Sequence, residues 1–401
     1  MISRVFKGVK WLLLFVIIAP IALYALLLLI NATDEDKSAQ VLAFADFVEQ
    51  RRQLTGKQNA YISLVGITAN PEEDIHAIGL ERMEKLVDFK LTTKALAFID
   101  AYDVGDIIVQ LRTILSLCES GQQLDESCQQ SLLVQQEDIA KLINENQLLI
   151  ERYRSITQLK HWYEILPASI VYSDGMRYQF LLSLQKLNML SIWKMAMGQQ
   201  NNADEVARLL EQQGAFVRNI LSSTHMLQTK MIAVSAVNSY FTWLDFLIPN
   251  TEQSSQQLVL QKSVVNALSQ PLTPEELSFE QVIIGEWQFA QSVHQQMIDE
   301  TDGDYAWLNF FLMPILQQQA TLNLHAAVMK EAVENLAIET SEVKDNQLCL
   351  TEKSWQTLAW YSYNPVGKLL ICAPGLDFAS YKVKLDAVEI RRKSVLAKLT
   401  R

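Results

Sequence analysis

Twenty consecutive residues, Trp11 to Ile30, carry no charged side chain. As a helix rising about 1.5 Å per residue they reach about 30 Å, the thickness of a bilayer's hydrocarbon core. A secretory signal peptide has a shorter apolar centre, about 7–15 residues, followed by small residues at its cleavage site. Here the run is longer, and Ile30-Asn31-Ala32 makes a poor site. Pro20 falls mid-run, where lipid-embedded helices tolerate it if the freed carbonyl is rescued locally. Residues 11–30 are therefore read as a retained transmembrane signal-anchor, with a cleaved signal as the rival.

The flanks set the expected orientation. Arg4, Lys7 and Lys10 precede the run, and Asp34, Glu35 and Asp36 follow it. The positive-inside rule leaves residues 1–10 as a cytoplasmic tail and sends 31–401 across. Without those three cations the chain has 31 Lys and Arg against 45 Asp and Glu. An acidic body of this kind repels a phosphate backbone, so nucleic acid is excluded as a partner.

Four cysteines fit an exported body. Cys118 and Cys128 flank the polar ESGQQLDES, and Cys349 and Cys372 flank a stretch holding the turn signal Asn364-Pro365-Val366-Gly367. Pairing within each couple would close two modest loops, each worth about 3 kcal/mol in the chain-entropy model. Three connectivities are open to four cysteines, and metal binding is the rival, though no C-x-x-C accompanies them. Disulfides suit an oxidising space such as a bacterial periplasm. One N-x-S/T sequon, Asn31-Ala32-Thr33, lies hard against the anchor, which favours a bacterial inner membrane over a secretory lumen.

The body's dominant period is helical, giving a mainly α chain: a large irregular helical bundle or array with little β. Asn202-Ala203-Asp204-Glu205 resembles a capping box, followed by apolar residues on one face from Val206 to Leu221. Thr273-Pro274-Glu275-Glu276 opens another helix, expected to reach about 299. Further helices are expected near 38–54, 72–88, 129–160, 176–198, 225–248, 308–340 and 379–399. Residues 61–67 and 368–372 are the candidate strands. A polar run from Pro249 to Ser255 and a break at Ser269-Gln270-Pro271 suggest a possible subdivision near 250–272, within one continuous assembly. The apolar stretch 231–248 holds Asn238 and Asp245 and is read as a core helix rather than a second span.

Catalytic signatures are weak. Ser183-x-x-Lys186 and Ser191-x-x-Lys194 share a predicted helix, and no K-T-G accompanies them. The five histidines are scattered, and Glu73-x-x-His76 is alone where a helical di-metal site needs two such motifs. Asp299 to Asp304 fails the EF-hand register, since Ile298 and Asn309 would occupy ligand positions. No phosphate-binding glycine loop exists, so neither cofactor, metal nor nucleotide is expected. Two surface features point to partners: the aromatic run with Trp355, Trp360, Tyr361 and Tyr363, and the basic tail with Arg391, Arg392 and Lys393. Packing over the second disulfide and a docked terminal helix are their structural explanations.

The expected function is that of a bitopic inner-membrane protein whose periplasmic body binds a protein partner. It would scaffold an envelope or secretion complex, or neutralise a toxin. A hydrolase acting on envelope polymers or lipids through buried carboxylates is the alternative. A cradle for an apolar ligand is a third reading.

Overall fold

The computed structural model describes residues 2–87, 104–119, 126–164, 178–198, 202–247, 255–299, 306–336, 348–349, 355–372 and 378–400. The fold is mainly α, with no strand among the described residues. The first helices are α1 (Ile2–Ile30), α2 (Ala39–Arg52), α3 (Ala60–Val65), α4 (Ile75–Val87), α5 (Val104–Ile114), α6 (Ser116–Glu119) and α7 (Glu126–Val134). Next come α8 (Gln136–Glu145), α9 (Gln147–Ile156), α10 (Tyr178–Ala196), α11 (Ala203–Ser223), α12 (Leu227–Leu247) and α13 (Ser255–Ser269). The last are α14 (Glu280–Asp299), α15 (Ala306–Leu312), α16 (Gln318–Leu336), α17 (Trp355–Ser362), α18 (Pro365–Cys372) and α19 (Phe378–Leu399).

The chain forms two compact units. One comprises Met1–Phe47 and Trp287–Phe378, the other Val48–Glu286 and Ala379–Arg401. These boundaries lie outside 250–272.

Both candidate strands are helices. Residues 61–67 fall largely in α3, where Ala60 to Leu64 are all buried. Asn59 caps it, accepting from the Tyr61 N–H while its own amide donates to the Tyr163 carbonyl. Gly66 and Gly79 let α3 and α4 cross closely: a Cβ on either would sit 1.9 Å from a carbonyl oxygen opposite. Residues 368–372 belong to α18, which begins with Pro365 at a position where a missing N–H costs nothing.

Other expectations shift at their edges. The predicted 129–160 helix is three, broken at Gln135 and Asn146, and Asn146 turns its amide back onto the Leu142 carbonyl. The 308–340 helix is interrupted by a 3-10 turn at Met313–Ile315 containing Pro314. Thr273 and Glu276 do cap one another, Thr273 N–H to carboxylate at 2.6 Å and Glu276 N–H to hydroxyl at 3.3 Å. That turn ends quickly, and the helix proper starts at Glu280, whose N–H is held by Ser278. At α11, Asn202 makes no side-chain cap; Glu205 pairs with Arg208 instead.

The larger unit is built around α10 to α13. The apolar face read from Val206 to Leu221 is the buried face of α11. The 231–248 stretch is a core helix: in α12, Ala233, Val237, Phe241, Leu244 and their neighbours are buried. Helix α19 docks through Leu385, Val388 and Val395, each at most 1% exposed.

Among the described residues no helix is long and apolar enough to cross a membrane. Side chains of α1 are described from Phe15 onward, sixteen residues to Ile30. Four successive ones, Phe15, Val16, Ile17 and Ile18, are 71%, 59%, 61% and 52% exposed. Steps of about 100° per residue carry those four right round the helix, so apolar surface faces outward on every side.

Candidate functional site

Where α1 ends, the chain enters a buried knot of uncharged groups. Asn31 donates through its amide to the Leu27 and Ser362 carbonyls, and its oxygen accepts from the Asn364 N–H at 2.6 Å. Gln317 reaches the Asn31 carbonyl, also at 2.6 Å. Asn364 accepts in turn from the N–H groups of Gln317 and Gly367 and donates to the Thr321 hydroxyl. It adopts φ 49°, in the left-handed region that asparagine tolerates better than most residues. A few residues on, Asp34 accepts from the N–H groups of Gln319 and Ala320, capping α16. Part of the acidic flank expected to set orientation is thus also a helix cap. The sequon asparagine is buried with both of its polar atoms engaged.

Both cysteine couples are bonded as their spacing predicted, Cys118 to Cys128 and Cys349 to Cys372. The aromatic run does not fold away over the second bridge. No residue of α17 is buried, Trp355 is 86% exposed and Leu358 64%. Trp360 and Tyr361 meet edge to face, and Lys368 lies over the Trp360 ring at 4.4 Å and near Tyr363 at 5.6 Å. The basic tail lies in the other unit and is largely neutralised within it. Arg392 is buried and bonded to Glu389 and the Leu268 carbonyl. Arg391 faces Asp245 at 3.6 Å, and Lys393 faces Glu389 at 3.7 Å with most of its side chain exposed.

A cleft of about 540 Å³ opens in the larger unit between α11, α12 and α13. Arg218 and Glu276 line it as a bidentate pair, and Arg218 also donates to the Gln270 and Pro271 carbonyls. Every nitrogen of that guanidinium is used, so it acts as a staple rather than an anion receptor. The remaining wall holds Glu211, which accepts from Ser263, and Tyr240, which donates to the Leu210 carbonyl.

A charged knot that sequence reasoning missed sits elsewhere in the same unit. Glu164, 1% exposed, accepts from the Thr224 hydroxyl and the His225 N–H, each at 2.9 Å. The His225 ring stacks on Tyr163, and neither ring nitrogen has a hydrogen-bond partner. Burial holds its pKa below the usual imidazole value, against the pull of Glu164. Arg51 donates to the Trp162 and Ser223 carbonyls. Glu286 accepts from the Leu227 N–H, and burial raises its carboxyl above the usual range. Glu164 and His225 are 61 residues apart, too far for any local motif to reveal them.

The weak motifs disperse. Glu73 accepts from the Asn70 N–H while His76 pairs with Ser63, so the two do not converge. Ser191 donates to the Asn188 carbonyl and accepts from Arg154. The stretch after Asp299 lies outside the described residues. Among the described residues no group of three or more His, Cys, Asp or Glu could hold a metal ion.

No protein-family model, curated protein or solved structure matches the chain.

Proposed function

We propose that this is a single-span bacterial inner-membrane protein with residues 1–10 in the cytoplasm, residues 11–30 of α1 in the bilayer and a helical periplasmic body that works by binding protein. The observation that carries the reading is α1 itself. A helix apolar all round has no stable place in water and is at home in a core or a membrane. Its charge-free run begins at Trp11, and cations sit only on its front end. Two intact disulfides suit the periplasm. The knot at Asn31 supports a permanent anchor, since cutting behind residue 32 would remove its central amide.

Binding is favoured over hydrolysis by what the buried carboxylates do. Glu276 and Glu211 both line the cleft, but Arg218 and the Thr273 N–H occupy the first and Ser263 donates to the second. Glu164 holds the Thr224 hydroxyl and the His225 N–H, and Glu286, the carboxyl that burial raises, does not line the cleft. A hydrolase would keep two carboxylates open to one cleft. Trp355 and Leu358, three positions apart on α17 and both exposed, form the proposed contact face. A tether confines such a face to a thin layer and raises its effective concentration against membrane-bound partners.

The test has two arms. A periplasm-dependent reporter fused behind residue 401 should be active, and the chain should resist alkaline extraction from membranes. A photoreactive residue at Leu358 should give a discrete crosslinked protein in intact cells, absent when placed at exposed Lys194. An inactive reporter refutes the topology; identical patterns at 358 and 194 refute the contact face.

A further inference from the structure

Tyr24 carries the one hydroxyl in the charge-free run from Trp11 to Ile30, and it has a partner. Its hydroxyl donates to the Phe311 carbonyl at 3.0 Å, and its ring meets the Phe311 ring edge to face at 5.9 Å. Phe311 is the penultimate residue of α15, where a helix leaves its carbonyls without internal donors. Phe310 and Phe311 pack edge to face on one another yet remain 74% and 47% exposed. From Ala306 to Leu316 the chain reads AWLNFFLMPIL, with Asn309 its one polar side chain and no charge.

From these contacts we infer that α15 and its following turn enter the outer leaflet beside α1, with lipid acyl chains as the partner of Phe310 and Phe311. The inference rests on the anchor reading and extends it. Tyr24 lies six residues before the end of α1, about 9 Å along the helix. A leaflet's hydrocarbon is about 15 Å deep, so whatever packs on Tyr24 shares the lipid with it. Backbone polar groups at that depth must be satisfied by the protein, and the Tyr24 hydroxyl supplies the donor that the end of α15 lacks. An uncharged, aromatic-rich segment is what such a position tolerates.

The full-length chain in phosphatidylcholine vesicles tests this. An environment-sensitive fluorophore is placed at Phe310→Cys and, in a separate sample, at Ile21→Cys on the exposed surface of α1. The Phe310 label should emit blue-shifted light and lose about half its intensity or more to nitroxide lipids labelled near the headgroup, with weaker loss to those labelled at the chain end. If the Ile21 label is quenched while the Phe310 label emits as in water, α15 lies outside the lipid and the inference fails with the anchor intact. If the Phe310 label is shielded from water yet untouched by nitroxide lipid, protein covers that face and the inference also fails. Quenching at neither position removes the anchor and this inference together.

Discussion

At the root of α1, Asn31, Gln317, Thr321 and Asn364 are buried as uncharged amides and hydroxyls, whereas around Glu164 the other unit buries a carboxylate and an imidazole beside a half-buried guanidinium. A neutral knot depends on matching each donor to an acceptor, and no change of pH alters its charge. A charged knot gains stronger hydrogen bonds and carries a desolvation cost that makes the loss of one member severe. The first arrangement suits a fixed joint. The second is itself sensitive to pH and to single deletions.

The largest expected effect is at Glu164. Glu164→Ala would orphan the Thr224 hydroxyl and the His225 N–H and leave Arg51 without its nearby carboxylate, costing about 3–5 kcal/mol in denaturant unfolding. Glu164→Gln keeps the shape and one acceptor, and should cost clearly less. Equal losses in the two variants would mean that charge plays no part, and the contrast between the knots would fail.

Acidity separates the units next. Burial pushes His325 on α16, whose Nδ1 has no hydrogen-bond partner, down to about 4. Unfolded, that imidazole takes up its proton near pH 6.5, so between about 6.5 and 4 the unfolded state binds more protons. The smaller unit should therefore lose stability as pH falls through that window, by about 3 kcal/mol once it is crossed. Lys230 of the larger unit is pushed down to about 7, also by burial, with its ammonium on the Leu221 and Glu276 carbonyls. By the same linkage that unit should gain stability as pH rises from about 7 to 10.5. Hydrogen exchange on α16 and α12, corrected for intrinsic rates, would resolve both windows. His325→Gln should shrink the acid response of α16 to what the half-buried His294 of α14, also held below the usual imidazole value by burial, contributes; a response of unchanged size would mean that the neutral joint is not indifferent to pH.

Asn364→Ala comes third, at about 2–3 kcal/mol. It removes the acceptor for the Gln317 and Gly367 N–H groups and places alanine at positive φ. Protease accessibility near residue 31 should rise in step. Unchanged protection there would show that the joint does not depend on this amide.

The long helices were legible because their apolar residues repeat on one face, as from Val206 to Leu221 in α11. The disulfides were legible because each couple is close in sequence. Residues 61–67 and 368–372 were misread because a short apolar run looks alike as strand or helix. What settles them is distant: Asn59 bonds Tyr163, and Asn364 bonds Asn31, 333 residues away. The break at Asn146 was invisible for another reason, since no glycine or proline marks it and the side chain itself closes the turn. The Glu164 knot joins groups from separate segments and leaves no local pattern.

The smallest expected effect tests the basic tail. Arg391, Arg392 and Lys393 stand together in sequence, but Arg392 is inside the fold, Arg391 is mostly covered against Asp245, and only Lys393 presents most of its side chain to solvent. An exposed pair such as Lys393 with Glu389 contributes at most about 0.5 kcal/mol, because water and salt screen it. Lys393→Ala should leave the unfolding midpoint and the crosslinks from Leu358 unchanged, whereas Arg392→Ala should lower the midpoint by stripping the Leu268 carbonyl of its donor. If Lys393→Ala instead removed those crosslinks at unchanged stability, the tail would belong to the contact face. The charges of the larger unit would then serve recognition as well as folding, which is the division of labour between the two regions that the comparison denies.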